Sequence, residues 1–224
     1  MSLSLEAASL TVRFGKVSAL EKVSVSLPFG THALIVGEAA TGKTTLLKAL
    51  AALQRPSDGA VTWNKEDVWS LTEVQRREKQ AFLGFVFQTD ALFDSMSVLE
   101  NVKLPLLRRG VAQAEAEARA RESLEQVGLG AAAGKRPEEL SGGMKKRAGI
   151  ARAIVARPDV LLADDPFAGL DPDTEAQIAQ LLMDVAKNRT LIAALPDPVP
   201  SLPLPVALKL EVVTAPRSSD LSRA

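Results

Sequence analysis

The sequence contains no cysteine. Neither a disulfide scaffold nor a thiolate metal site can form without it, and the default compartment for such a chain is the cytoplasm. An excess of one charge is also missing: 27 Lys and Arg balance 27 Asp and Glu. A nucleic-acid binder would carry a basic stripe, so no nucleic acid is expected as a partner. No run of 18 or more apolar residues occurs, and the opening Met1-Ser-Leu-Ser-Leu-Glu-Ala lacks the basic region and apolar core of a signal peptide. A membrane role would therefore pass through a partner. Histidine is nearly absent as well; His32 is the only one.

What is present suffices for a core. Of 224 residues, 46% are hydrophobic and 24% charged, the balance of a globular domain. The length fits one domain, or one domain carrying a subdomain. Residues 3–13 and 19–27 read as strands, with Pro28-Phe-Gly30 as a turn. Ala33–Val36, Val160–Ala163 and Leu191–Leu195 are short continuous apolar runs, the pattern of parallel strands buried on both faces. Ala60–Trp63 and Phe82–Phe87 are further strand candidates. Helices are expected over Thr44–Leu53, Ala112–Val127 (with Gly128 as C-cap glycine) and Asp173–Ala186.

Strands alternating with helices imply an α/β fold with a mostly parallel sheet, and the helical stretch from Thr89 to Ala156 reads as an inserted subdomain. Five prolines between Pro196 and Pro205 exclude a helix there. Val206–Val213 could return as a strand, and Ser218–Ala224 is expected to fray.

Between the strand ending at Val36 and the helix after it stands Gly37-Glu38-Ala39-Ala40-Thr41-Gly42-Lys43-Thr44, which fits G-x-x-x-x-G-K-[ST]. Glycines let successive backbone N–H groups turn toward phosphate oxygens. The helix start adds its positive end. The Lys43 ammonium would reach the β- and γ-phosphates and the Thr44 hydroxyl would ligate Mg²⁺. Val160-Leu-Leu-Ala-Asp164 delivers a carboxylate from the end of a buried strand. Taken alone, an Asp there is more often a turn or a helix cap; downstream of a phosphate loop, holding Mg²⁺ is the expectation.

Leu140-Ser141-Gly142-Gly143-Met144, followed by Lys145-Lys146-Arg147, closely resembles the Leu-Ser-Gly-Gly-Gln signature of ABC ATPases. Ser141 reads as a helix N-cap before two glycines, a second anion cradle. The resemblance implies a P-loop NTPase core with an antiparallel β subdomain and an inserted α-helical subdomain. The core would take residues 1–87 and 157–224, and the helical signature subdomain residues 88–156. It further implies ATP and Mg²⁺ as cofactors, with ATP-binding positions Phe14, Gly37–Thr44, Thr45 and Ser141–Gly143. Phe14 would stack on adenine, with core packing as its alternative. Gln88, ending Phe85-Val-Phe-Gln88, resembles the glutamine that senses Mg²⁺ and the attacking water, and Ala168-Gly-Leu-Asp171 resembles the loop that crosses the dimer interface. Metal contacts would come from Thr44, Gln88 and Asp164, and catalytic groups would be Lys43, Gln88 and Asp165.

Met144-Lys-Lys-Arg147 and the run Phe87-Gln-Thr-Asp-Ala-Leu-Phe-Asp-Ser-Met-Ser-Val-Leu-Glu-Asn-Val look like the Mla/Mkl branch of that family. That branch implies phospholipid transport with an integral membrane permease and a mammalian-cell-entry-type lipid-binding protein. The chain would then sit peripherally on the cytoplasmic face of the inner membrane, in a homodimer or a heterodimer with another ABC ATPase. A cell-division-type ATPase shares Leu161-Leu-Ala-Asp164 and stays as an alternative, as does an ATP-gated module with little turnover. A DNA-repair-type ABC protein is disfavoured by balanced charge and missing heptads.

Three positions depart from the family pattern. Ala40 replaces a glycine, which predicts a loop tightened or strained there, with ATP binding retained. Asp165 stands where the family has the general-base Glu, one carbon–carbon bond short of its reach. Pro196 stands where the switch histidine would be, with Asp197 in register behind it, and offers neither a side-chain donor nor an N–H. His32 reads as a strand-end residue. Slow hydrolysis, or pairing with a second ATPase subunit that fires against Ser141, is therefore expected. The basic cluster Arg76-Arg77-Glu-Lys79 reads as a solvated helix face in preference to a headgroup contact, and Ala112–Arg121 as an exposed helix.

Overall fold

The computed structural model of the protein describes residues 3–211. Four strands, β1 (Leu5–Phe14), β2 (Val17–Leu27), β4 (Asp58–Trp63) and β5 (Glu66–Asp67), make an antiparallel sheet in the order β2-β1-β4-β5. Five more, β3 (His32–Val36), β6 (Leu83–Val86), β7 (Val160–Asp164), β8 (Thr190–Leu195) and β9 (Val206–Lys209), make a parallel sheet in the order β6-β7-β8-β3-β9. The helices are α1 (Lys43–Leu50), α2 (Glu73–Gln80), α3 (Val98–Leu107), α4 (Gln113–Gln126), α5 (Gly142–Ile154) and α6 (Pro172–Ala186). This is the expected α/β architecture, with a parallel sheet, an antiparallel sheet and a helical insertion between β6 and β7.

The parallel sheet divides two cores, and alternation along its strands decides which residue joins which. Leu34, Val36, Leu161, Ala163, Leu191, Ala193 and Leu195 face the core shared with α3, α4, α5 and α6. Ala33, Ile35, Val160, Leu162, Ile192 and Ala194 face the core shared with α1 and the antiparallel sheet. Successive side chains of a strand point to opposite faces, so a strand covered on both faces must be apolar at every position. Each fully buried Leu or Ile contributes roughly 1.5–3 kcal/mol relative to exposure.

Helix ends follow their capping residues. The hydroxyls of Thr72 and Ser97 accept from the backbone N–H of Gln75 and Glu100, whose side chains reach back to complete capping boxes on α2 and α3. After α4, Gly128 takes φ 72°. Leu129 N–H then donates to Leu124 C=O at 2.8 Å and Gly128 N–H to Glu125 C=O at 3.0 Å, the Schellman arrangement. Buried Asn101 ties down the loop before α3: its Nδ2 donates to the carbonyls of Phe93, Met96 and Ser97, and its Oδ1 accepts from Phe93 N–H at 2.7 Å.

Several boundaries differ from expectation. α1 stops at Leu50 instead of Leu53, because the chain turns left-handed at Ala52 (φ 53°). α2 carries no buried residue, so no apolar stripe marks its bounds. The solvated-face reading of its basic cluster holds: Arg77 pairs with Glu73, Lys79 with Glu66, and Arg76 lies 4.6 Å over the Trp69 ring. β9 ends at Lys209, short of the expected Val213: Leu210 and Glu211 lie outside the strand, while residues 212–213 and Ser218–Ala224 lie outside the described residues. The proline-rich segment forms no helix, and Leu202 within it is fully buried. Among the described residues no helix is long and apolar enough to cross a membrane.

Candidate nucleotide site

β3 and β8 run side by side, Val36 opposite Leu195, so Gly37 and Pro196 leave the sheet as neighbours. The Gly37 N–H donates to the Pro196 carbonyl at 3.2 Å. A Cβ at Gly37 would lie 2.5 Å from the Leu210 carbonyl oxygen, so the close return of the chain after β9 demands glycine there. Gly42 has φ 91°, and a Cβ on it would lie 2.3 Å from the Ala19 carbonyl of β2. The phosphate loop is thus gripped from one side by β9 and from the other by the antiparallel sheet. Between the two glycines, Ala40 takes φ 62°, a left-handed conformation that penalises a Cβ by about 1 kcal/mol or more. Of the tightened or strained loop expected from that substitution, the backbone shows the strain.

Within the loop the Thr41 hydroxyl donates to the Glu38 carbonyl at 2.9 Å. The Lys43 ammonium donates to the carbonyls of Gly37 and Glu38, which holds it over the curled backbone. The Thr44 hydroxyl donates to Asp164 Oδ1 at 3.0 Å, from the first turn of α1 to the end of β7. Gln88 Nε2 donates to Asp165 Oδ2 at 3.2 Å. Ala39, Ala40, Thr41, Gly42, Lys43, Thr44, Thr45, Gln88, Asp164, Asp165 and Pro196 surround one cavity of about 390 Å³. An adjoining cavity of about 350 Å³ takes in Gly37 and Glu38 with Asp197 and Lys209.

Burial raises the Asp164 carboxyl above its ordinary value, against the Thr44 hydrogen bond and the charge of Lys48. Burial likewise raises Asp165, opposed by the charges of Lys43 and Lys146 and by the Gln88 hydrogen bond. Two carboxyls held reluctant to ionise beside an ammonium and a hydroxyl suit a hard divalent cation, which would favour their charged forms. Among the described residues no cluster of three His, Cys, Asp or Glu side chains gathers as a metal cage. One hydroxyl, one carboxylate and one amide fit Mg²⁺, which keeps waters and shares its shell with phosphate oxygens. The donor set fits Mg-nucleotide.

The remaining positions lie elsewhere. Ser141 caps α5, its hydroxyl accepting from Met144 N–H at 3.3 Å. Ser141 and Gly142 are exposed, while a Cβ on Gly143 would meet Thr174 of α6 at 2.8 Å. None of the three lines the cavity around Lys43. Phe14 is 52% exposed at the end of β1, opposite Val17, so the core-packing alternative fails. His32 Nε2 contacts the carbonyls of Ala186 and Arg189 at the opposite end of β3 from the loop. It takes no part in the site.

Two residues escaped the sequence. Ala19 lines the main cavity from β2, which nothing in an alternating strand signals. Lys146, quoted only as part of a basic run, is 3% exposed and donates to the Gln88 carbonyl at 2.8 Å. A buried lysine inside a helix after Ser-Gly-Gly is a signal only once its face is known.

Comparison with known proteins agrees with this geometry. A family model described as "ABC transporter" matches residues 20–168, more than half of the chain. The chain is 38% identical over 187 residues to "Probable ribonucleotide transport ATP-binding protein mkl" of Mycobacterium leprae (strain TN), covering 83% of this chain and 54% of that protein. It is 37% identical over 195 residues to "Methionine import ATP-binding protein MetN 1" of Rhodococcus jostii (strain RHA1), covering 85% and 58%. The chain therefore spans about half the length of the curated relatives it matches. Among solved structures it resembles the dimeric bacterial ABC transporter cassette MJ0796, with TM-score 0.82 and 29% identity over 94% of this chain and 97% of that one. The post-hydrolysis dimer of the same cassette, bound to ADP and Pi, matches with TM-score 0.77 and 30% identity over 86% and 88%. Sequence, fold and the paired glycine loop and carboxylate strand converge: the chain belongs to the ABC transporter family of ATP-binding cassettes.

Proposed function

We propose that this chain is the ATP-binding subunit of a transporter that moves lipid, specifically phospholipid, across the cell envelope, and that its own hydrolysis is slow. One observation carries the second half: the cavity that brings Lys43, Thr44, Gln88 and Asp164 together is also lined by Asp165 and Pro196, an Asp and a proline where the family pattern has Glu and His.

Bound Mg²⁺ would supply the charge that neutralises the β- and γ-phosphate oxygens. Thr44, Asp164 and Gln88 would hold it, while the loop amides of Gly37–Thr44 and the Lys43 ammonium bind the phosphates. Thr45 lines the same cavity from α1, and the exposed Phe14 ring, on the hairpin that also carries Ala19, offers a face for adenine. Asp165 is the base that accepts a proton from water, and burial makes it the stronger base. Its short side chain sets the water back by about one bond length, and a 1 Å misplacement costs about a hundredfold in rate. Pro196 leaves the γ-phosphate position without a side-chain donor. Ser141, Gly142 and Gly143 would serve the nucleotide held by a second subunit, a like chain or another ABC ATPase. Residues 1–87 and 157–224 act as the nucleotide-binding core, and 88–156 as the unit that carries this cradle.

The lipid assignment is supported by Met144–Arg147 and by the Phe87–Val102 run, which look like the Mla/Mkl branch. The chain would dock peripherally, on the cytoplasmic face of the inner membrane, to an integral permease working with a mammalian-cell-entry-type lipid-binding protein. Relatives named for ribonucleotide and methionine transport define the competing cargoes. Asp165 and Pro196 in place of the family's Glu and His also favour a second reading, an ATP-gated clamp that controls a membrane partner of the cell-division type.

Asp165→Glu with Pro196→His should raise steady-state ATPase activity about a hundredfold, with Mg-ATP affinity unchanged. Turnover of the parent chain at ordinary family rates would overturn the slow-hydrolysis reading. Co-purification from native membranes, followed by transport assays with labelled phospholipid, methionine and ribonucleotide, decides the cargo. Movement of either soluble compound in place of phospholipid would sink the lipid reading, and lipid-free ATP-dependent dimerisation would favour the clamp.

A further inference from the structure

The face of α5 that carries Lys146 and Arg152 grips the backbone immediately after Gln88. Lys146 donates to the Gln88 carbonyl at 2.8 Å and stands 3.4 Å from Asp90 Oδ1. That carboxylate oxygen is buried and accepts no hydrogen bond of good geometry, so the ammonium is its charge partner. Six residues further along α5, Arg152 donates to the carbonyls of Asp90 at 2.9 Å and Ala91 at 2.6 Å. Between them Gly149 passes the Asp90 carbonyl, 3.7 Å from where a Cβ would sit. Residues 146, 149 and 152 are spaced i, i+3, i+6 and so share one face of the helix.

This is a costly way to hold a loop. A buried ammonium must be paired, and breaking such a pair leaves an uncompensated charge. The segment it holds bends through Ala91 at φ 48°, which it would not adopt for its own sake. What lies at the other end of the segment is the reacting centre: the Gln88 carbonyl is fixed by Lys146, and the Gln88 side chain donates to Asp165. α5 in turn begins at Ser141, the cap of the second cradle.

We propose that Lys146, supported by Arg152 and Asp90, is a positioning residue that locks Gln88 onto Asp165 and makes the Gln88 pair move with the signature helix. Engagement of the Ser141 cradle is then reported to the hydrolytic centre through one buried ion pair. The inference rests on the ATPase reading above and deepens it.

The test uses the full chain and three measurements: Mg-ATP binding by calorimetry, single-turnover hydrolysis, and amide hydrogen exchange over residues 86–92. Lys146→Met should lower the single-turnover rate about tenfold or more while Mg-ATP affinity stays within about threefold, and should raise exchange over that segment. Lys146→Arg, which keeps the charge, should restore both, which a mere packing role would not require. In a Gln88→Ala background Lys146→Met should add no further rate loss, because coupled residues are not additive. An unchanged rate, or a loss that adds fully to that of Gln88→Ala, overturns the proposal. Where parental hydrolysis lies below detection, unaltered exchange over 86–92 in Lys146→Met overturns it alone. Failure of the parent chain to bind Mg-ATP would sink the ATPase reading instead, a separable result. Asp90→Asn, which leaves Lys146 its carbonyl bond, should give a smaller change in the same direction if Lys146→Met fails to fold.

Discussion

Two strands that lie side by side end differently. β3 runs into Gly37 and a curled loop of donors, Lys43 and the amides around it; β8 runs into Pro196, which offers neither an N–H nor a polar side chain. They touch, Gly37 N–H to Pro196 C=O, so the contrast falls within one site. It teaches that, under the proposed function, the β3 end would supply phosphate donors while the β8 end would supply none, with Asp164 and Asp165 beside both at the end of β7. A change at one end leaves the backbone of the other in place, because the ladder from His32↔Leu191 to Val36↔Leu195 is set by buried apolar side chains on both faces.

The largest expected effect breaks the β3 side. Lys43→Ala removes a charged donor, and charged hydrogen bonds contribute about 1.5–3 kcal/mol each, so Mg-ATP affinity should fall about a hundredfold or more by calorimetry. Binding that survives undiminished would show that the loop is not the phosphate site. A smaller effect sharpens the contrast by relaxing the loop without touching a donor. Ala40→Gly releases the left-handed alanine at φ 62° and should stabilise the free protein by about 1 kcal/mol in urea unfolding, with the β8 side unaffected.

The smallest effect concerns the carboxylates at the end of β7, the strand beside β8. Asp164 and Asp165 are raised by burial above their ordinary value of 3.8. Between that value and the raised one, the folded chain binds more protons than the unfolded chain, so this contribution to stability falls as pH rises through the window. Asp164→Asn removes one such carboxyl. Without nucleotide the variant should melt above the parent near neutral pH, and the gap should close as pH falls toward the ordinary value. With Mg-ATP the order should reverse if Asp164 holds the metal as proposed. Scanning melts at several pH values, with and without Mg-ATP, check both signs.

Most of the fold was legible because the residues concerned announce local requirements. Ala33–Val36, Val160–Ala163 and Leu191–Leu195 are uniformly apolar, as strands with two covered faces must be. Gly37–Thr44 spells a loop of amides, and Ser141 a helix cap. β5 was illegible for the opposite reason, being two exposed residues held by pairing to β4, and α2, which buries nothing, was read only as a charged helix face around Arg76–Lys79 with no bounds. Neither leaves a periodic trace.

The sequence alone determined which chemical groups exist and which are missing: a loop lysine, a strand-end carboxylate, an Asp for a Glu, a proline for a histidine. Only the tertiary structure decided who meets whom. Gly37 must be glycine because of the Leu210 carbonyl, Gly42 because of Ala19, and Lys146 matters because of Gln88 and Asp90. Each partner lies well away along the chain and is brought close by sheet order and helix packing. Backbone preference acts between neighbours in sequence, whereas steric exclusion and the pairing of buried charge act between neighbours in space.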